Sequence, residues 1–183
     1  MSLPSVTLAL LLGASTANSR PMPSFALDNF DGRAFSNASF EGKTTIVVPT
    51  YAKCIFACPM ITFLLAELDK ELGAPPKLQY VHVSVQPRED TEAEILDHFD
   101  DHGIDSSEDK RWFFLNGPEE GIQQLMLDTG VVVTRVRVAE GELVEHTIRL
   151  FVIGPEGQTL AEFNTYFWNE EEMRHALRFA IAR

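Results

Sequence analysis

The run Thr44-Thr-Ile-Val-Val-Pro-Thr-Tyr-Ala-Lys-Cys54-Ile-Phe-Ala-Cys58-Pro59 decides how this chain folds. Its first seven residues are mostly β-branched and lack the polar alternation of a half-exposed strand, so they predict a short central strand buried on both faces. Beyond Pro59 the period changes. Ile61, Leu64, Leu65 and Leu68 recur at helical spacing until Gly73, Pro75 and Pro76 stop the pattern, which predicts a helix over 59–72. The two cysteines of the chain fall in the joint between that strand and that helix.

Upstream of the strand, Phe25-Ala-Leu-Asp-Asn-Phe-Asp-Gly-Arg-Ala-Phe35 reads as two short strands around an Asp-Gly turn. Downstream, residues 78–85 form a second buried strand, and 91–102 a helix with Ile95, Leu96 and Phe99 inward and Gly103 as its stop. A short strand over 112–115, a helix over 118–127 and an alternating strand over 131–138 follow. Residues 149–153 and 159–163 flank Gly154-Pro155-Glu156-Gly157 as a hairpin, and 170–182 closes the chain as a helix. A βαβ start followed by an antiparallel hairpin and a last helix implies an α/β fold with a mixed central sheet and helices on both faces. Thioredoxin-like folds have this element order. They place a dithiol where the first central strand meets the first long helix.

At 183 residues and 45% apolar content, the chain can bury a full core without metals or disulfides, so either one would serve function. A formal net charge of -12 repels polyanions and argues against nucleic acid as a partner. Residues 1–17 combine an apolar run with Ser15 and Ala17 at the positions read by a signal peptidase, which predicts a signal peptide over 1–17, an exported product and one mature domain over 18–183. The run from Val6 to Gly13 is far short of the roughly 20 apolar residues needed to span a bilayer.

A helix N-terminus offers unpaired N–H groups and partial positive charge, which favour thiolate over thiol at Cys54 and Cys58; Lys53 is placed to add to this. Three readings remain open from the cysteines alone. A structural disulfide would close a very small loop and constrain the unfolded chain little. A redox dithiol usually has two intervening residues, and this one has three. Metal binding needs a further ligand, and His146 supplies one. It precedes the strand that a thioredoxin fold pairs beside its first central strand, so its loop should face the dithiol, at the place where thioredoxins carry a cis-proline. Two thiolates and an imidazole make a soft trigonal set suited to Cu(I), and to Cu(II) with an added weak ligand.

Other candidates have simpler roles. His98 and His102, four apart on a helix, read as packed or solvated, and His82, between Val81 and Val83, as a hydrogen-bonded core residue. His175 reads as surface and Met60 as helical packing. Glu89 and Asp90 are expected to cap the helix near Thr91, and Glu170, Glu171 and Glu172 to complement a helix start.

Several segments together resemble the Sco/SenC copper proteins over almost all of the mature length. They are Phe25-Ala-Leu-Asp-Asn-Phe-Asp-Gly, Phe40-Glu-Gly-Lys43, Thr50-Tyr-Ala-Lys-Cys54 through Cys58-Pro59, Val83-Ser-Val-Gln-Pro-Arg-Glu-Asp-Thr91, Trp112-Phe-Phe-Leu-Asn-Gly117 and His146-Thr through Phe151-Val-Ile-Gly-Pro-Glu-Gly157. The resemblance implies a copper ion held by Cys54, Cys58 and His146, and delivery to, or thiol reduction at, the binuclear copper site of cytochrome c oxidase. It implies a monomer working in the periplasm, or in the equivalent intermembrane space of an organelle. Two positions depart from the family pattern: Ile55 stands where Pro usually follows the first cysteine, and Gln86 where Asp usually precedes Pro87. The alternative function is an exported thiol-disulfide oxidoreductase acting on protein disulfides, with Cys54 attacking and Cys58 resolving.

Overall fold

The computed structural model describes residues 20–138, 141–165 and 168–182; the expected signal peptide over 1–17 lies outside the described residues. The elements are β1 (Ala26–Asn29), β2 (Ala34–Ser36), a 3-10 turn (Asn37–Phe40), β3 (Thr44–Thr50), α1 (Ala57–Glu71), β4 (Leu78–Ser84), α2 (Glu92–Asp100), β5 (Trp112–Asn116), α3 (Glu119–Asp128), β6 (Val133–Val138), β7 (Gly141–His146), β8 (Leu150–Ile153), β9 (Thr159–Phe163) and α4 (Glu170–Ile181).

Seven strands form one sheet in the order β2-β1-β5-β4-β3-β8-β9. The inner strands β3, β4 and β5 run parallel, whereas β8 joins β3, and β1 joins β5, antiparallel. Every residue of β3 and of β4 is buried, as their unbroken apolar and small-polar runs predict. Side chains alternate between faces along a strand. Ile46, Val48, Tyr80 and Phe114 therefore pack beneath α1, α2 and α4, and Val47, Val81, Val83 and Leu115 pack with α3 and the N-terminal hairpin. The mixed sheet with helices on both faces is the thioredoxin-like arrangement expected from the element order.

One strand was not anticipated. β7 pairs with β6 as a separate two-stranded ribbon, with Val133 opposite His146. His146 is thus the last residue of a strand, where a loop was expected. The ribbon carries Arg135, Arg137, Glu142 and Glu145, so its apolar pattern is thin, and pairing to β6 together with the burial of Val144 organises it.

Pro49 shapes the site end of the sheet. β8 pairs with β3 only from Thr45 to Val47, so Pro49, which has no N–H to give, lies past the last β8 partner. On the other side β3 stays paired with β4 through Thr50, whose carbonyl accepts from Val85 N–H at 2.7 Å. The sheet therefore opens beside β3 just before the cysteines.

Candidate metal centre

Past β3 the chain turns, with Cys54 N–H donating to the Tyr51 carbonyl at 3.2 Å, and enters α1 through Phe56 as its N-cap. Cys58 and Pro59 fall in the first helical turn, where proline's fixed φ and missing N–H are tolerated. Both cysteines are free thiols, Cys54 half-buried and Cys58 buried.

The two thiols have opposite character. Cys54 sulfur accepts from the Cys58 thiol, and although burial opposes ionisation, the N–H groups of Phe56 and Cys58 and the Tyr51 hydroxyl also donate to it; its pKa is held down to about 5. Cys58 is pushed the other way, by its hydrogen bond to Cys54, by burial and by the Cys54 charge. The Thr50 hydroxyl, with no nitrogen or oxygen partner, opposes that shift. Near neutral pH the pair therefore carries one thiolate, on Cys54, and one proton, on Cys58.

Lys53 does not take the part expected of it. Its ammonium forms an ion pair with Glu94 on α2, so the Cys58 thiol first, then the N–H groups at the start of α1, and not the lysine, stabilise the Cys54 thiolate.

The β6–β7 ribbon brings His146 to the opening beside β3. Its Nε2 stands 3.9 Å from Cys58 Sγ, and its Nδ1 lies 3.1 Å from the Thr147 carbonyl oxygen. A carbonyl can only accept, so Nδ1 carries the proton and the Nε2 lone pair points to the sulfur. Burial lowers the His146 pKa, with the Thr147 carbonyl and Cys54 opposing, which keeps the imidazole neutral and able to ligate. Metal–sulfur and metal–nitrogen bonds of about 2.3 and 2.0 Å at 120° place their donor atoms roughly 3.8 Å apart, close to the separation found. The donor set of two thiols and one neutral imidazole fits a soft monovalent ion. Among the described residues no three His, Cys, Asp or Glu side chains are already spaced to hold an ion.

Two residues at the site were missed in the sequence. Tyr51 lies edge-on to the His146 ring at 6.2 Å, and its hydroxyl, whose single proton faces both the Cys54 sulfur and the Val144 carbonyl at 3.3 Å, ties the ribbon to the cysteine loop. Burial first, then the Cys54 charge, keeps that hydroxyl protonated. Its place directly after the strand was the available signal. Asp90 does not cap α2: Thr91 does so, with Glu94 completing a capping box. Asp90 is instead 5% exposed; its Oδ1 accepts from Ala52 N–H at 2.9 Å and its Oδ2 from the Ser84 hydroxyl at 2.5 Å. Burial raises its pKa to about 6 against those hydrogen bonds.

The remaining candidates lie elsewhere. His82 and His98 are buried and share the Thr62 hydroxyl, through Nε2 at 3.1 and 2.9 Å. His175 is exposed, and Asn169 caps α4 ahead of its three glutamates, as expected. Met60 departs from expectation. It is 44% exposed, because it shares with the exposed Phe63 the outward face of α1, turned away from the buried Ile61, Leu65 and Leu68. Gln86 is buried, and its N–H donates to the Ser84 hydroxyl at 3.0 Å.

Comparison with known proteins gives a consistent result. A family model described as SCO1/SenC matches residues 13–182. The chain is 22% identical over 142 residues to the SCO1 protein homolog of Bacillus subtilis, covering 76% of this chain and 72% of that protein. It is 25% identical over 141 residues to the mitochondrial protein SCO2 of Saccharomyces cerevisiae, covering 73% of this chain and 44% of the yeast protein, which is thus more than twice the matched length. In fold it is similar to the copper-bound crystal structure of Arabidopsis thaliana ScoI, with a TM-score of 0.71 and 20% identity over 89% of this chain and 99% of that one. With the match running through both cysteines and His146 on a thioredoxin-like frame, the chain belongs to the SCO1/SenC family.

Proposed function

We propose that this protein is an exported, monomeric copper carrier that holds its cargo on Cys54, Cys58 and His146 and passes it to the copper-site subunit of cytochrome c oxidase. The observation that carries the reading is the free Nε2 lone pair of His146, 3.9 Å from Cys58 Sγ and beside a thiol pair of which one member is already ionised. Copper binding at a protonated thiol releases that proton, so Cys58 loses its hydrogen as the third bond forms. Transfer proceeds by exchange: a partner thiolate adds to copper as one of the three donors leaves. The half-buried Cys54 is the donor placed to leave first. The copper bound in the Arabidopsis relative and the family resemblance support this cargo. Among the described residues no helix is long and apolar enough to cross a membrane.

A second reading rests on the split between the thiols. Cys54 thiolate attacks a protein disulfide, one partner sulfur leaves as thiolate, and Cys58, giving up its proton, attacks Cys54 Sγ to release the reduced partner and leave a Cys54–Cys58 disulfide. In this family such reduction would prepare the recipient's cysteines for copper.

Titration of the reduced protein and of His146→Ala with Cu(I) and Cu(II) tests the proposal. Tight binding that weakens at least tenfold in the variant is expected. Binding that is weak in both, or equal in both, rejects the carrier reading, and rapid disulfide reduction by the copper-free protein would then favour the second.

A further inference from the structure

Asp90 is a buried carboxylate for which capping does not account. Placing an ionised carboxyl in a protein interior is unfavourable unless hydrogen bonds replace its water. Here they come from two places that the fold must bring together: the Ser84 hydroxyl at the end of β4, and the amide of Ala52 in the loop between β3 and α1. The backbone of Asp90 is itself fixed, its N–H donating to the Gln86 carbonyl at 3.0 Å and its carbonyl accepting from Asn116 Nδ2 at 3.1 Å. A rigid acceptor thus meets the Ala52 peptide two residues before Cys54.

The neighbouring contacts follow one line. Asp90, Glu94 and His98 are four residues apart, the spacing that puts side chains along one face of α2 and its entry. Asp90 takes the Ala52 N–H, the His98 ring meets the Ala52 carbonyl, and Glu94 pairs with Lys53. The cysteine loop is thereby clipped to α2 through consecutive groups. Glu94 and Lys53 are near the surface, where an ion pair contributes little. The buried clip is Asp90.

We infer that Asp90 is a positioning residue for the thiol pair: its carboxylate fixes the Ala52 peptide, and so aims Cys54 Sγ at the N–H groups of Phe56 and Cys58. It touches neither sulfur. The inference deepens the copper-carrier reading and rests on it for the metal, though not for the thiol geometry.

The test compares Asp90→Asn, which keeps an acceptor for Ala52 N–H, with Asp90→Ser, which stays polar beside Ser84 but is too short to reach that amide. Two quantities are read on the full chain: Cu(I) affinity by chelator competition, and the equilibrium constant of the dithiol with glutathione, which needs no metal. Outer positions of this kind change metal affinity by about 10–100-fold. Asp90→Ser is expected to lose that much. It should also shift the glutathione equilibrium about tenfold toward the disulfide, because the thiolate that stabilises the reduced form is no longer well solvated by the helix N–H groups. Asp90→Asn is expected to stay within about threefold of the parent in both. Equal values for Asp90→Ser and the parent, with only a lower melting temperature, would overturn the inference and leave Asp90 a packing residue. So would equal losses in the two variants. Should Asp90→Ser not fold, Ser84→Ala, which frees one carboxylate oxygen and lets the clip swing, is expected to shift the glutathione constant at least threefold, and no shift overturns the inference. A parent chain that binds no copper would reject the carrier reading while the glutathione arm still decides the role of Asp90.

Discussion

The protein holds two groups of imidazoles close to the cysteine loop, and only one is fit for a metal. His146 stands at the open edge beside β3, with its Nδ1 proton engaged by a carbonyl and its Nε2 lone pair turned to Cys58. His82 and His98 lie under the sheet with their Nε2 atoms on the Thr62 hydroxyl, and His102 Nδ1 is taken by the His98 carbonyl at 2.6 Å. One hydroxyl donates once, so it serves one ring as donor and the other as acceptor, and neither Nε2 is free. Residue type is the same in both groups. What differs is whether a lone pair is left over and whether soft donors lie beside it.

That contrast can be broken most forcefully at the ligands. Cys58→Ser should weaken Cu(I) binding by roughly a thousandfold, given that three ligands share a binding energy on the order of 10 kcal/mol, as read by chelator competition. Thr62→Val should leave copper affinity unchanged. A large loss in Thr62→Val would mean that the buried group shares the copper site.

Acid should act on the buried group instead. Burial lowers the pKa of His82 to about 3 and of His98 to about 4, whereas an unfolded histidine takes its proton near 6.5. Their contribution to stability is fully present above that unfolded value and is lost as pH falls through about 4. Asp90 works in the opposite direction, because its raised pKa means that protonation below about 6 relieves an unfavourable charge. The net loss between pH 6.5 and 4 is on the order of 4 kcal/mol, measurable by urea unfolding at each pH. Stability that is flat or rising over that range would show that the two rings are not held neutral.

Smaller effects sharpen the same comparison. Thr62→Val itself should cost about 1–3 kcal/mol in urea unfolding near neutral pH, the penalty for leaving buried polar atoms without a partner. His175→Ala, at an exposed position of α4, should change unfolding by less than about 0.5 kcal/mol and copper affinity not at all.

Much of the fold was readable because each element obeys one period. β3 and β4 are short apolar runs, α1 has its 61/64/65/68 stripe and a glycine stop, and α2 has a capping residue and Gly103 just past its end. β7 was not readable, since a ribbon with charges along it carries no strong period and takes its order from β6. Met60 was misplaced because it is apolar, although it lies off the Ile61, Leu65 and Leu68 stripe and so faces outward with Phe63. The place of the cysteines at the strand-to-helix joint was legible from the change of period, and the approach of His146 to Cys58 from its position ahead of the strand beside β3.

The sequence by itself determined the layers of the fold, the strand-to-helix joint that carries the thiols, and the family pattern running through Cys54, Cys58 and His146, because periodicity and turn chemistry are local properties. Tertiary structure decided which thiol is ionised, which nitrogen of His146 is free, where Lys53 spends its charge and what Asp90 does. Each of those depends on groups brought together from distant parts of the chain, through burial and hydrogen bonds that no local pattern records.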